Sequence, residues 1–187
     1  MNILVVDNES MFFDELIALL RGHHVTVINY HELRNEDTSA QDCIILSGSH
    51  IPVSNFDDKY GVQVDILKHS SRPVLGICVG FALVQHAYGH KDAPLEEHGS
   101  QAIKVEIEKK DKLFKGITKI EAIVDHRYDA SATSEHLDIL AISERGIEIV
   151  KHKKKLIYGI NFHPELTSPK AIGKKLIENF LNQVKPT

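Results

Sequence analysis

Two short strings in this chain carry residue types that do covalent chemistry: Gly76-Ile77-Cys78-Val79-Gly80-Phe81 and His163-Pro164-Glu165. The first sets a cysteine between glycines, directly after an apolar run and before a helical pattern. It has the form of a nucleophile elbow with Cys in the place of Ser. A sharp strand-to-helix turn strains the nucleophile's backbone, and small neighbours let other segments approach closely. At the start of the helix through Leu83 and Val84, unpaired N–H groups and the helix dipole favour the thiolate, the nucleophilic form. The same turn offers the N–H of Val79 to an oxyanion. In the second string, proline restricts the backbone so that His163 and Glu165 project to one side. The carboxylate can then fix the tautomer of the imidazole that deprotonates Cys78. Cys78, His163 and Glu165 are therefore the predicted catalytic group. Taken singly, each string also reads as structure, a buried cysteine in a turn or a polar surface turn; what favours chemistry is that both fall at strand ends.

The elements that must position these residues are legible as hydrophobic patterns. Ile3-Leu4-Val5-Val6, Cys43-Ile44-Ile45-Leu46 and Pro73-Val74-Leu75-Gly76-Ile77 are continuous apolar runs of strand length, and His24 to Ile28 reads as a further strand. Phe12, Leu16, Leu19 and Leu20 recur at helical spacing up to Gly22, and Val62, Val64, Ile66 and Leu67 predict a short helix. This alternation predicts a doubly wound, mostly parallel α/β sheet flanked by helices, with the site at the carboxyl ends of its strands. The second half changes character. Ala102 to Ile107 alternates like a half-exposed strand, and Ile120 to Val124, Ile139 to Ile142 and Ile147 to Val150 follow, predicting an antiparallel extension. Lys155 to Phe162 predicts another strand, and Ile172, Leu176, Ile177, Phe180 and Leu181 a C-terminal amphipathic helix.

A length of 187 residues with 42% hydrophobic composition predicts one domain over 1–187. The net charge of -4, from 22 basic and 26 acidic residues, gives no footprint for nucleic acid or an anionic membrane. The basic run Lys151 to Lys155 reads as a solvated turn. With no secretory pattern at the N-terminus and no apolar run of membrane-spanning length, a cytoplasmic protein is expected. The two cysteines, Cys43 and Cys78, sit in different contexts and predict no disulfide. His86 and His90 have i, i+4 spacing, but no accompanying Cys/His cluster or His-Glu-x-x-His pattern supports a metal.

These motifs together resemble the class I glutamine amidotransferases, whose triad is a cysteine in a Gly-x-Cys-x-Gly elbow followed by His-Pro-Glu. Gly159-Ile160-Asn161-Phe162-His163-Pro164-Glu165 is similar to the family's Gly-Val-Gln-Phe-His-Pro-Glu signature. Leu46-Ser47-Gly48-Ser49 resembles its Ser-Gly-Gly loop, which implies backbone N–H groups of Gly48 or Ser49, with Val79, in an oxyanion hole. Asp125-His126-Arg127-Tyr128-Asp129 resembles its Ser-His-x-Asp segment, which implies His126 and Asp129 near the substrate. Within the family, Lys112-Leu113-Phe114 and the His126 segment are nearer the stand-alone amidotransferase subunit of GMP synthetase, whereas Asp7-Asn8-Glu9-Ser10 is similar to the anthranilate synthase partner. One departure stands out: where the family has Gly-His-Gln after the elbow residue, this chain has Gly80-Phe81-Ala82, so the amide that would help hold glutamine is absent and Phe81 and Ala82 occupy that part of the substrate site.

The resemblance implies hydrolysis of the glutamine side-chain amide through a cysteine thioester, without a cofactor, and delivery of ammonia to a separate synthetase subunit. GMP synthetase is the nearest candidate. Two other functions fit the same residues: a hydrolase of γ-glutamyl or other amides, and a non-enzymatic regulatory or binding subunit with a degenerate glutamine site.

Overall fold

Apolar runs without alternation must be buried on both faces, and the computed structural model, which describes residues 1–51, 55–90, 101–124, 130–167 and 169–186, places them at the centre of a sheet. In chain order its strands are β1 (Asn2–Asp7), β2 (His24–Asn29), β3 (Cys43–Leu46), β4 (Val74–Ile77), β5 (Gln101–Ile107), β6 (Ile120–Val124), β7 (Leu137–Ser143), β8 (Gly146–His152) and β9 (Ile157–Ile160). The spatial order is β2-β1-β3-β4-β9-β8-β7-β5-β6. The pairs from β2 to β9 are parallel. From β9 outward through β8, β7, β5 and β6 they are antiparallel. This is the doubly wound sheet with an antiparallel extension that the sequence predicts.

Side chains alternate across each strand, so the sheet feeds two cores. Ile3 and Val5 of β1 and Leu75 and Ile77 of β4 face a layer containing α1 (Phe13–Leu19) and α4 (Lys170–Leu181), with Leu16, Leu176 and Phe180 packed against them. Leu4, Val6, Ile44 and Leu46 face the opposite layer, α2 (Phe56–His69) and α3 (Val79–Ala87), through Val64, Leu67 and Leu83. Helix α2 is longer than the short helix predicted from Val62, Val64, Ile66 and Leu67: the Asn55 side chain accepts from the Asp57 N–H and starts it at Phe56, and Phe56 and Tyr60 extend its buried face.

The basic run is not one solvated turn. Strand β8 extends through His152, and Lys151 on it pairs with Asp111 at 2.6 Å and lies over the Tyr158 ring. The Nζ of Lys155 donates to Lys68 O at 2.6 Å. Burial of the apolar stems and the charged hydrogen bonds outweigh the tendency of a lysine run to remain in solvent.

Helix α4 rests on the turn that carries His163 and Glu165. The Thr167 hydroxyl donates to Pro164 O at 3.1 Å and accepts from Gly173 N at 2.8 Å. A Cβ at Gly173 would overlap the Pro164 carbonyl, so only glycine permits this approach. Gly173→Ala is therefore expected to cost about 1–3 kcal/mol of stability through forced separation of helix and turn. Urea unfolding of the two proteins measures it, and an unchanged midpoint would show the contact to be dispensable.

Candidate active site

Strand β4 leads into α3 without a loop, and Cys78 makes the corner with φ 55° and ψ -106°. A non-glycine residue rarely adopts this backbone. It is held there by the Cys78 N–H, which donates to Ile160 O of β9 at 2.9 Å, and by the Phe81 N–H, which donates back to Cys78 O at 2.9 Å. The flanking glycines are steric necessities. A Cβ at Gly80 would lie 2.5 Å from Leu46 O, and one at Gly76 would overlap the carbonyl of Gly80. The elbow read from the sequence is thus a real corner, wedged between β3 and β9.

On the neighbouring strand, the chain leaves β9 through Asn161 and Phe162, and the His163 N–H donates to Ile123 O of β6 at 3.2 Å. A tight turn over Pro164–Leu166, closed by Leu166 N to His163 O at 3.0 Å, swings Glu165 back beneath the ring. Glu165 Oε1 then lies 2.9 Å from His163 Nδ1. Both side chains are buried, at 6% and 1% exposure. With Nδ1 committed to Glu165, Nε2 is the ring nitrogen left to act on Cys78.

The electrostatics follow from this arrangement. Burial, the largest influence on His163, opposes the imidazolium, but the charge and hydrogen bond of Cys78, and then those of Glu165, outweigh it and hold the pKa up to about 10. An imidazolium between two acidic groups is the form suited to protonating a leaving amine. Cys43 is the opposite case: burial, with help from Asp42, pushes its thiol up to about 12.

The third side of the site is the loop after β3. A Cβ at Gly48 would lie 3.1 Å from His163 Cε1, 3.2 Å from Cys78 Cβ and 3.5 Å from Ser10 Oγ, so this glycine faces the gap between thiol and imidazole. The N–H groups of Gly48 and Ser49 donate to no acceptor among the described residues, and that of Val79 begins α3, where no intrahelical acceptor exists. Gly48, which lies beside the reactive pair, and its neighbour Ser49 thus carry N–H groups without an acceptor among the described residues, and the first N–H of α3 adjoins Cys78 in the chain.

Phe81 and Ala82 are 3% and 2% exposed and belong to the apolar layer between α3 and the sheet, Phe81 packing over Gly159. The structure therefore brings together Cys78, Val79, Gly48, Ser49, His163 and Glu165 and turns Phe81 and Ala82 toward the core. His126 and Asp129 lie outside the described residues. Among those residues no group of three or more His, Cys, Asp or Glu could hold a metal ion, and His86 instead pairs with Asp57 at 3.2 Å. Sequence reasoning missed Phe12, whose ring meets the His163 ring edge-on at 4.9 Å and shields it. It also missed Ser10 and Asn8, although their place at the carboxyl end of β1 was the available signal.

Residues 4–184 match the family described as glutamine amidotransferase class-I. Among curated proteins, a subunit of the glutamine-hydrolyzing GMP synthase of Methanococcus maripaludis strain C7 is 37% identical over 118 residues, 62% of each chain. The corresponding GMP synthase subunit of Methanocaldococcus jannaschii is 34% identical over 119 residues, 63% of each. The glutamine-hydrolyzing GMP synthase of Thermosipho africanus is 29% identical over 97% of this chain and 36% of that one. The matched part thus spans less than two thirds of these relatives' own length. The fold is shared with a Thermoplasma acidophilum protein described as a GMP synthase subunit, at a TM-score of 0.84 and 22% identity over 97% of this chain and 92% of that one. With the family match running through the elbow, the loop after β3 and the His-Pro-Glu turn, this chain belongs to the class-I glutamine amidotransferase family.

Proposed function

We propose that this chain hydrolyses the side-chain amide of glutamine through Cys78 and supplies the ammonia to a separate synthetase subunit, with GMP synthetase as the acceptor enzyme. The observation that carries the reading is the buried His163–Glu165 pair at 2.9 Å beside a cysteine on a strained elbow. The Cys78 thiolate attacks the amide carbonyl carbon, and the N–H groups of Val79 and of Gly48 or Ser49 stabilise the oxyanion. His163, oriented by Glu165, gives its proton to the departing ammonia. A thioester remains; His163 then takes a proton from water, which attacks the thioester and releases glutamate. His126 and Asp129 are proposed to contact the substrate. The methanogen relatives are named as subunits of GMP synthase, which supports a partner, and no helix among the described residues is long and apolar enough to cross a membrane. Phe81 and Ala82, lacking the family's amide, favour one second reading, hydrolysis of another γ-glutamyl amide by the same triad.

Cys78 is expected to take up a glutamine-like electrophile stoichiometrically while Cys43, whose thiol is pushed up to about 12, stays unlabelled. Peptide mass spectrometry reads this directly, and preferential labelling of Cys43 would overturn the assignment. Cys78→Ala should abolish amidase activity and leave the fold intact.

The charge on Glu165 helps raise His163 from 6.5 to about 10, so Glu165→Gln should lower that pKa. The proton donor is then lost at lower pH, and the alkaline limb of the glutaminase profile should move toward neutrality, with a drop of about tenfold or more at its maximum. The stability that the raised pKa contributes is complete below pH 6.5 and disappears as pH rises through about 10 in the native protein. A profile that keeps its alkaline limb would remove Glu165 from the mechanism.

Ammonia at neutral pH is mostly protonated and no longer nucleophilic, so turnover is useful only beside an acceptor. Weak glutaminase activity is expected from the chain alone, rising about tenfold or more, roughly 1.4 kcal/mol of coupling, with a cognate synthetase and its nucleotide substrate. Glutamate release with and without the partner tests this. High partner-independent turnover would favour the solitary hydrolase, and inactivity throughout, with Cys78 still labelled, the non-enzymatic role.

A further inference from the structure

We infer that Asn8, braced by Gln63, is the positioning residue that aims the oxyanion donors of the loop after β3. The inference rests on the proposed acyl chemistry at Cys78 but not on which amide is cleaved. Asn8 follows the last residue of β1 and Gln63 lies in α2, and the two are 0% and 1% exposed. Their carboxamides pair reciprocally: Gln63 Nε2 donates to Asn8 Oδ1 at 2.7 Å, and Asn8 Nδ2 donates to Gln63 Oε1 at 3.2 Å. The same Nδ2 donates to Ser47 O at 2.9 Å, and the Asn8 backbone N–H donates to Ser47 Oγ at 2.9 Å. The Ser47 hydroxyl in turn donates to Gly48 O at 3.1 Å.

The consequence lies on the far side of each peptide plane. A trans peptide is rigid, and its C=O and N–H point in opposite directions. Holding Ser47 O toward Asn8 therefore fixes the direction of the Gly48 N–H, and holding Gly48 O toward Ser47 Oγ fixes that of the Ser49 N–H. These are the two loop N–H groups that donate to nothing among the described residues. The other end of the loop is clamped independently. Glu9, at φ 64°, turns its carbonyl to accept from His50 Nδ1 at 2.6 Å and His50 N at 3.4 Å. Two carboxamides in a core cost more to bury than two apolar side chains, and what they return is direction. Here the direction is passed to the N–H groups of a loop whose Gly48 lies against Cys78 and His163.

Asn8→Asp replaces the donor to Ser47 O by a carboxylate oxygen and should turn the plane away. Gln63→Leu removes the brace but leaves the Asn8 donors, so its effect should be smaller. Acyl transfer is read with glutamine and with p-nitrophenyl acetate, whose Cys78-dependent hydrolysis passes through an oxyanion whatever the natural substrate. Alkylation of Cys78 by iodoacetamide, a displacement at a saturated carbon, forms no oxyanion and serves as the contrast. Losing an oxyanion donor costs about 10²–10³ in kcat, so misaiming donors by Asn8→Asp should lower kcat about tenfold or more and Gln63→Leu about threefold, with KM and alkylation nearly unchanged. Unchanged kcat, alkylation that falls in parallel, or failure of both variants to fold would make the pair merely structural and overturn the inference; if only Asn8→Asp fails to fold, Gln63→Leu decides. Ester hydrolysis that responds as expected, in a chain that does not turn over glutamine, would sink the glutaminase reading and leave this one standing. A wild-type chain without any Cys78-dependent acyl transfer would sink both.

Discussion

The backbone of Cys78 is the constraint around which the site is arranged. At φ 55° and ψ -106° the residue sits where a side chain crowds its own peptide groups, at a cost on the order of 1–3 kcal/mol. Such a conformation persists only if its surroundings determine it, and here they do so from three sides. Strand β9 takes the Cys78 N–H, α3 begins by returning the Phe81 N–H to the Cys78 carbonyl, and the absent side chains at positions 76 and 80 let β3 and α3 close in. The return on this strain is geometric. The Cys78 side chain is left partly exposed at the edge of the core it packs against, while the residues on either side, Ile77 and Val79, remain buried.

Burial of the His163–Glu165 pair is the second constraint and works against the first intuition about buried charge. An isolated imidazolium at this depth would give up its proton, as the influence of burial on His163 indicates. It is retained because the influence of Cys78, and then of Glu165, whose carboxylate lies against Nδ1, outweighs burial. The Phe12 ring against the imidazole and the burial of both side chains leave little water to screen the attraction. The antiparallel extension is therefore more than a cover for the sheet: Ile123 O of β6 fixes the backbone from which His163 projects.

What the sequence discloses and what it withholds divide along a physical line. Cys43–Leu46 and Ile120–Val124 appear as strands with the bounds their apolar residues suggest, because burial on one or both faces writes itself into local composition. The first turns of α2 were missed although Phe56 and Tyr60 continue the period of Val64 and Leu67 backward, because Asp57-Asp58-Lys59 and Gly61 mask that pattern and the start depends on the Asn55 cap and a kink at Tyr60. Lys151 read as solvent-facing because its partner Asp111 lies 40 residues away. The residue types proposed for catalysis were legible in the sequence because few other residues can perform such chemistry. The environments of those residues were not, and so Phe81 and Ala82, expected beside substrate, face the core instead, while Phe12, expected only as a helix residue, covers the imidazole.

The order of strands explains why distant stretches converge. β1, β3, β4 and β9 are contiguous and parallel, so the segments that follow them leave the sheet at the same edge, each about a strand spacing, roughly 4.8 Å, from the next. Asn8, Gly48, Cys78 and His163 are the residues met just beyond those four ends. A parallel sheet thus turns separation along the chain into adjacency in space with little freedom left for the loops, and the remaining freedom is removed by hydrogen bonds between neighbouring loops. Asn8 holds Ser47, His50 holds Glu9, and Cys78 is tied to β9, so the loops are fixed to one another as well as to the strands below. Any motion of the loop after β3 would have to break these contacts with the β1 loop, the Asn8–Ser47 bonds among them buried, so the position of Gly48 beside Cys78 and His163 depends on that junction as well as on the Cys78 elbow.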